Sequence, residues 1–139
     1  MTTRTLGTVA ALVAGVVFAA AACSDPQAPA APTPVAPTIT DTYSGTLLVG
    51  GTNTHPFTVN AIGGVSVTLT SAHPAAALGI GIGSTTSGGC TVISKVTVVP
   101  GTAAQLVGTA TVAGNFCLSV IDVGNLVEPV TYTVTVFHS

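Results

Sequence analysis

Charge is what this chain has least of. Arg4 and Lys95 are its only fixed cations, and Asp25, Asp41, Asp122 and Glu128 are its only carboxylates. Charged residues make up 4% of the 139, against about a quarter in an ordinary soluble domain. With a net charge of −2, the chain has no basic cluster to neutralise phosphates, which excludes nucleic acid as a partner. It equally lacks a polybasic patch for anionic lipid headgroups. Tryptophan is absent, and Tyr43, Tyr132 and four phenylalanines are the whole aromatic complement, which argues against an aromatic platform for sugars. After residue 40 no segment sustains a helical stripe of apolar residues. What replaces charge is threonine, serine and glycine, which keep a surface polar without ions. The length favours one domain.

The amino terminus reads as an export address. Arg4 supplies a positive start, and Leu6 to Ala22 is an unbroken run of apolar and small residues. At about 17 residues the run sits at the lower limit for a membrane span, and Ser24-Asp25-Pro26 follows it in place of a positive stop-transfer cluster. Ala20-Ala21-Ala22-Cys23 resembles a bacterial lipobox. That resemblance implies cleavage before Cys23, a diacylglyceryl group on its thiol and an acylated new amino terminus. Ala20 stands where the usual lipobox has leucine. An ordinary A-x-A cleavage site and an uncleaved anchor helix are the competing readings. Two or more acyl chains give stable anchoring. The serine after the cysteine resembles outer-membrane sorting in hosts with two membranes.

Residues 25–40 read DPQAPAAPTPVAPTIT, with Pro26, Pro29, Pro32, Pro34 and Pro37 closely spaced. Proline fixes φ and removes amide donors, so neither a helix nor a sheet ladder forms. An extended tether is expected, reaching roughly 50 Å from a bilayer at about 3.1 Å per residue. A ligand for a proline-reading domain is the sharper alternative, although no flanking Arg or Lys sets its orientation.

From Asp41 the pattern changes to period two. Tyr43, Gly45, Leu47 and Val49 alternate with polar or small residues, as do Phe57 and Val59, then Val65, Val67 and Leu69. Leu78, Ile80 and Ile82 alternate with Gly79, Gly81 and Gly83. Val92, Val96 and Val98 follow with weaker phase, then Leu106 with the segment 109–112, then Phe116, Leu118 and Val120, and last Tyr132, Val134 and Val136. Gly50-Gly51, Gly63-Gly64, Gly88-Gly89, Pro100-Gly101 and Gly114-Asn115 supply turns. The expectation is an all-β domain over residues 41–139: an antiparallel two-sheet β-sandwich, jelly-roll-like, of about eight short strands. It follows a signal helix over 1–22 and a disordered tether over 23–40. One short helical turn is allowed between Ala72 and Leu78.

Three cysteines are an odd number for an exported chain. Acylation of Cys23 resolves the parity and leaves Cys90 and Cys117 to pair in an oxidising compartment. Chain entropy for that loop gives about 3.5 kcal/mol. Two separate buried thiols are the plain alternative, and a metal site would need ligands at spacings not present here. Cys117 is out of phase with Phe116, Leu118 and Val120, so it is expected on the other face of its strand, towards the surface or a sheet edge.

Gly114-Asn115-Phe116-Cys117-Leu118-Ser119-Val120, followed by Val130-Thr131-Tyr132-Thr133-Val134-Thr135-Val136, resembles the closing strands of bacterial pre-peptidase C-terminal domains. Pro56-Phe57-Thr58-Val59 and Val65-Ser66-Val67-Thr68-Leu69 resemble the opening hairpin of that family. The similarity covers about residues 42–137. It implies a small non-catalytic sandwich; some members bind calcium, matrix or polysaccharide. Where the family often has an Asp-Leu-Asp-Leu middle strand, this chain has Leu78-Gly79-Ile80-Gly81-Ile82, which removes the expected calcium carboxylates.

Few residues remain for chemistry. His55 and His73 precede prolines, and His138 lies beside Ser139; all three read as exposed loop histidines with no nucleophile aligned to them. Asp122, Asn125 and Glu128 share a loop and, with Asp41, are weak calcium candidates, although Asp122-Val123-Gly124-Asn125 is also ordinary turn chemistry. Gly79, Gly81 and Gly83 lack the lysine and helix of a phosphate loop and fit close approach of strands. The expectation is a non-catalytic envelope lipoprotein without cofactor. Its partners are the bilayer, through acylated Cys23, and an envelope protein or glycan. A purely structural lipoprotein, a calcium-dependent glycan-binding module and a hydrolase are the alternatives.

Overall fold

The structure is a computed structural model describing residues 38–139. The signal segment, Cys23 and the tether up to residue 37 lie outside the described residues. Eight strands follow one another: β1 (Ile39–Leu47), β2 (Thr52–Val59), β3 (Gly63–His73), β4 (Leu78–Thr86), β5 (Gly89–Val98), β6 (Leu106–Ala110), β7 (Gly114–Ile121) and β8 (Val130–His138). They form two antiparallel four-stranded sheets, ordered β1-β8-β3-β6 and β2-β7-β4-β5. Every connection except the β4–β5 hairpin crosses from one sheet to the other, which is the jelly-roll arrangement. The period-two segments all become strands, because each puts its Val, Ile and Leu side chains on one face of the pleat. Leu47, Val67, Leu69, Val134 and Val136 of the first sheet meet Leu78, Ile80, Leu118 and Val120 of the second, all fully buried.

The opposite faces explain how so little charge is tolerated. Thr40, Thr42, Ser44 and Thr46 alternate outward along β1, beside Thr131, Thr133 and Thr135 of β8. β-branched threonine suits a strand and leaves a hydroxyl for water.

Local differences from the sequence expectation have physical causes. β1 begins at Ile39, inside the stretch read as tether, because Ile39 and Thr40 pair with His138 and Phe137. No helical turn forms after Ala72; β3 runs on to His73. Gly63-Gly64 and Gly114-Asn115 open strands instead of turning the chain. Gly50 does turn it, with φ at 68°, a region costly for residues with a Cβ.

Cys90 and Cys117 form a disulfide with Cα atoms 5.8 Å apart. Cys117 is paired with Gly83 on one side of β4, and Cys90 with Thr85 on the other. Strands flanking a third are normally about 9.6 Å apart, so the start of β5 must fold over the outer face of β4. Two features of the sequence allow it. Glycines 79, 81 and 83 leave that face bare: a Cβ on Gly83 would run into the Thr91 carbonyl, and one on Gly81 would lie 2.7 Å from Val92 Cγ1. The second is a bulge. Ser94 pairs with Ile82 and Val92 with Gly83, leaving Ile93 as an extra residue. Val96 and Val98 face the core, and in a regular strand Cys90, an even number of residues away, would face it too. The bulge reverses the phase and puts Cys90 on the outer face with Cys117. The same folding-over corrects the expectation for Cys117: it is on the outer face but only 1% exposed, because β7 is an interior strand and the start of β5 covers it.

Replacing both cysteines by alanine is expected to cost about 3.5 kcal/mol for this loop, read from urea unfolding under oxidising conditions. Gly83→Val is expected to destabilise by more than about 2 kcal/mol through backbone displacement. A Gly83→Val protein as stable as the parent would contradict the folded-over geometry.

Candidate functional site

The two outer edges of the sandwich differ in chemistry. At the β5/β6 edge the sheets leave an apolar cleft of about 170 Å³, lined among others by Val65, Ile82, Ile93, Leu106 and Phe116. At the β1/β2 edge the inward positions are polar. Extending the period-two phase of Phe57 and Val59 backwards along β2 brings His55 and Asn53 to the inner face, both half-buried. Extending Val134 and Val136 forward along β8 brings in His138, 1% exposed. Asp41 precedes Tyr43 and Leu47 in the same phase on β1. The reading of these histidines as exposed and in loops is therefore corrected for His55 and His138. Pro56 interrupts no ladder, since its carbonyl points away from β7 to Tyr43 and its missing N–H lies on that same unpaired side. His73 is exposed at the end of β3.

Tyr132 anchors this edge. Its side chain crosses the face of β1 at Gly45, where a Cβ would lie 2.8 Å from the Tyr132 hydroxyl. The hydroxyl reaches the second sheet, 3.0 Å from Asn53 Nδ2 and 2.7 Å from His55 Nε2. Asn53 Nδ2 also donates to the Thr46 carbonyl at 2.9 Å. That carbonyl can only accept, so the amide group is oriented and its other N–H goes to the Tyr132 oxygen. The proton of Tyr132 is then left to donate to His55 Nε2 when the ring is the neutral tautomer protonated at Nδ1. The His55 ring stacks on Tyr43 with centroids 4.8 Å apart, and the Tyr43 hydroxyl donates to the Pro56 carbonyl at 2.8 Å, with Asp41 Oδ2 at 3.3 Å. Beyond it, His138 Nε2 lies 3.1 Å from Asp41 Oδ2, and Nδ1 lies 3.3 Å from the Ser139 main-chain oxygen.

The electrostatics follow from burial. Desolvation lowers the His55 pKa below the ordinary histidine value. Desolvation also raises Tyr132, against the hydrogen bond from Asn53. Tyr43 is raised by desolvation and then by the Asp41 charge. Among the described residues no buried side-chain polar atom lacks a partner, and no group of three or more His, Cys, Asp or Glu comes together.

The loop carrying Asp122, Asn125 and Glu128 lies at the opposite end of β1 from Asp41, since Leu47, not Asp41, pairs with Val130. Asp122 Oδ2 accepts from the Gly50 amide at 2.7 Å, and Oδ1 accepts from the amides of Gly124, Asn125 and Leu126. The Gly50 bond is the largest cause holding its pKa below the usual carboxylate value; desolvation opposes it, and the other three amides add to it. Asn125 Nδ2 donates to the Ala77 carbonyl at 3.1 Å. Asp122 and Asn125 thus clasp three loops at one pole, and Glu128 is exposed beside them.

No protein-family model matches the chain, and no curated protein matches it.

Removing the Tyr132 hydroxyl leaves His55 Nε2 and one N–H of Asn53 without a partner, so Tyr132→Phe is expected to cost about 1–3 kcal/mol. Gly45→Ala displaces the same ring, and the two changes together are expected to cost less than their sum. A double-mutant cycle by urea unfolding checks both; strict additivity would contradict the shared contact.

Proposed function

We propose that the chain is an exported, non-catalytic lipoprotein of the cell envelope, in which acylated Cys23 holds a small jelly roll on a bilayer. One observation supports this most. The sandwich uses Cys90 and Cys117 for its own disulfide, so Cys23, the third cysteine of the sequence, has no cysteine within the chain to pair with. Its position after an apolar run and three alanines suits acylation, and a disulfide suits an oxidising compartment outside the cytoplasm. In a host with two membranes, Ser24 favours the outer one.

The non-catalytic reading draws on the polar edge. Asp41 and His138 make the one carboxylate–histidine pair at hydrogen-bond distance among the described residues. Nδ1 of that histidine faces a main-chain oxygen and not a nucleophile, which does not suit the triad arrangement. An envelope protein or glycan is the partner class for such a module. A purely structural role is favoured by one observation: Asp122 is engaged by backbone amides, and among the described residues no buried side-chain polar atom lacks a partner within the fold.

Intact-mass spectrometry of the mature protein from its host tests the proposal. The expected product begins at Cys23, carries diacylglyceryl and amide-linked acyl groups, and sediments with membranes; Cys23→Ser is expected in the soluble fraction. A mature chain with an unmodified thiol or a different start would overturn it.

A further inference from the structure

We propose that the β1/β2 edge is an acid-released latch, closed while His55 is neutral and opened when its Nε2 takes a proton. Four hydrogen bonds cross between the sheets there: Asn53 to Thr46, Asn53 to Tyr132, Tyr132 to His55, and Tyr43 to Pro56. The donor sequence leaves His55 Nε2 as an acceptor. A proton on Nε2 turns it into a donor, so that it and Asn53 both aim N–H groups at one Tyr132 oxygen. The hydroxyl proton of Tyr132 then has no acceptor at this contact, in a half-desolvated setting where an unmade bond is costly. Among the described residues, no carboxylate lies within ion-pair distance of the new positive charge.

The groups facing His55 can be named element by element. From β1 come Tyr43, stacked on the ring, and Asp41, engaged by His138 and within reach of the Tyr43 hydroxyl. From β8 come Tyr132, edge-on to the ring, and His138, held against Asp41 and Phe57. From β2 comes Asn53. Lys95 is on β5, at the far edge of the same sheet. Burial of the neutral ring points the same way: desolvation places the folded pKa below the unfolded one. The stability contributed by neutral His55 is therefore complete above the ordinary value of about 6.5 and is lost as pH falls through it towards the folded value.

The strand released is β2, which pairs only with β7. Its other side carries unpaired backbone groups, and a freed edge of this kind can accept another strand. Acid would thereby convert a closed edge into an accessible one without unfolding β7, β4 or β5.

Hydrogen exchange of the full chain at about pH 7.5 and about pH 5, corrected for intrinsic rates, tests this. In the parent, protection of β1 and β2, and of the β8 and β7 amides bonded to them, is expected to fall about tenfold per pH unit between the unfolded and folded His55 values, while the β4–β5 ladder holds its own. Glutamine can accept the Tyr132 proton and does not titrate, so His55→Gln is expected to lose less than about twofold. Equal losses in both proteins, or none in the parent, would overturn the latch. Should His55→Gln fail to fold, Tyr132→Phe serves instead: its β1 and β2 are expected to exchange quickly at both pH values, and a pH response unchanged from the parent would overturn the proposal.

Discussion

One hydroxyl, on Tyr132, joins the two sheets at the edge where β1 and β2 meet. It can do so because Gly45 leaves space for the ring on β1 and because Asn53 and His55 wait on β2 at 3.0 Å and 2.7 Å. The Thr46 carbonyl orients Asn53, whose second N–H goes to the Tyr132 oxygen, and the Tyr132 proton is left for His55 Nε2 in the tautomer protonated at Nδ1. A chain of bonds of this kind is satisfied in one arrangement and penalised in others. The opposite edge, lined by Ile82, Ile93 and Phe116, has no comparable chain.

The scarcity of charge gives this arrangement its setting. A sandwich of about 100 residues buries a modest core, and this one has few ions with which to fix partners. It uses neutral donors and acceptors inside, threonine hydroxyls outside, and a disulfide across β4. Its few carboxylates are spent locally. Asp122 clasps loops through backbone amides, and Asp41 meets a buried His138. Surface ion pairs contribute little in any protein, so their near-absence costs little here.

Much of this was legible in the residues. Alternation located all eight strands, because burial of one face imposes period two. The glycines of β4 were readable as a site of close approach. The face of Cys117 was readable too, but not its burial, since that depends on β5 bending across β4 after a bulge at Ile93. A bulge adds one residue without a clear local signature: Val92 keeps an even spacing from Val96 and Val98 in the sequence, and only the pairing with β4 shows the slip. The histidines depart from the local pattern for a different reason. Pro56 beside His55 and the position of His138 suggested loops, whereas carrying the strand phase two residues further would have placed both inside. Their partners were beyond reach of any local pattern: His55 and Tyr132 are 77 residues apart in the chain, and Asp41 and His138 are 97 apart.

The protonation state of His55 decides how the two sheets are joined at this edge. Nitrogen-15 NMR of the imidazole at neutral pH reports it directly. The expected spectrum has the proton on Nδ1 and an unprotonated Nε2 coupled across the hydrogen bond to the Tyr132 hydroxyl. A proton on Nε2 would mean that Tyr132 accepts from both neighbours, and that the link between the sheets is not the one described.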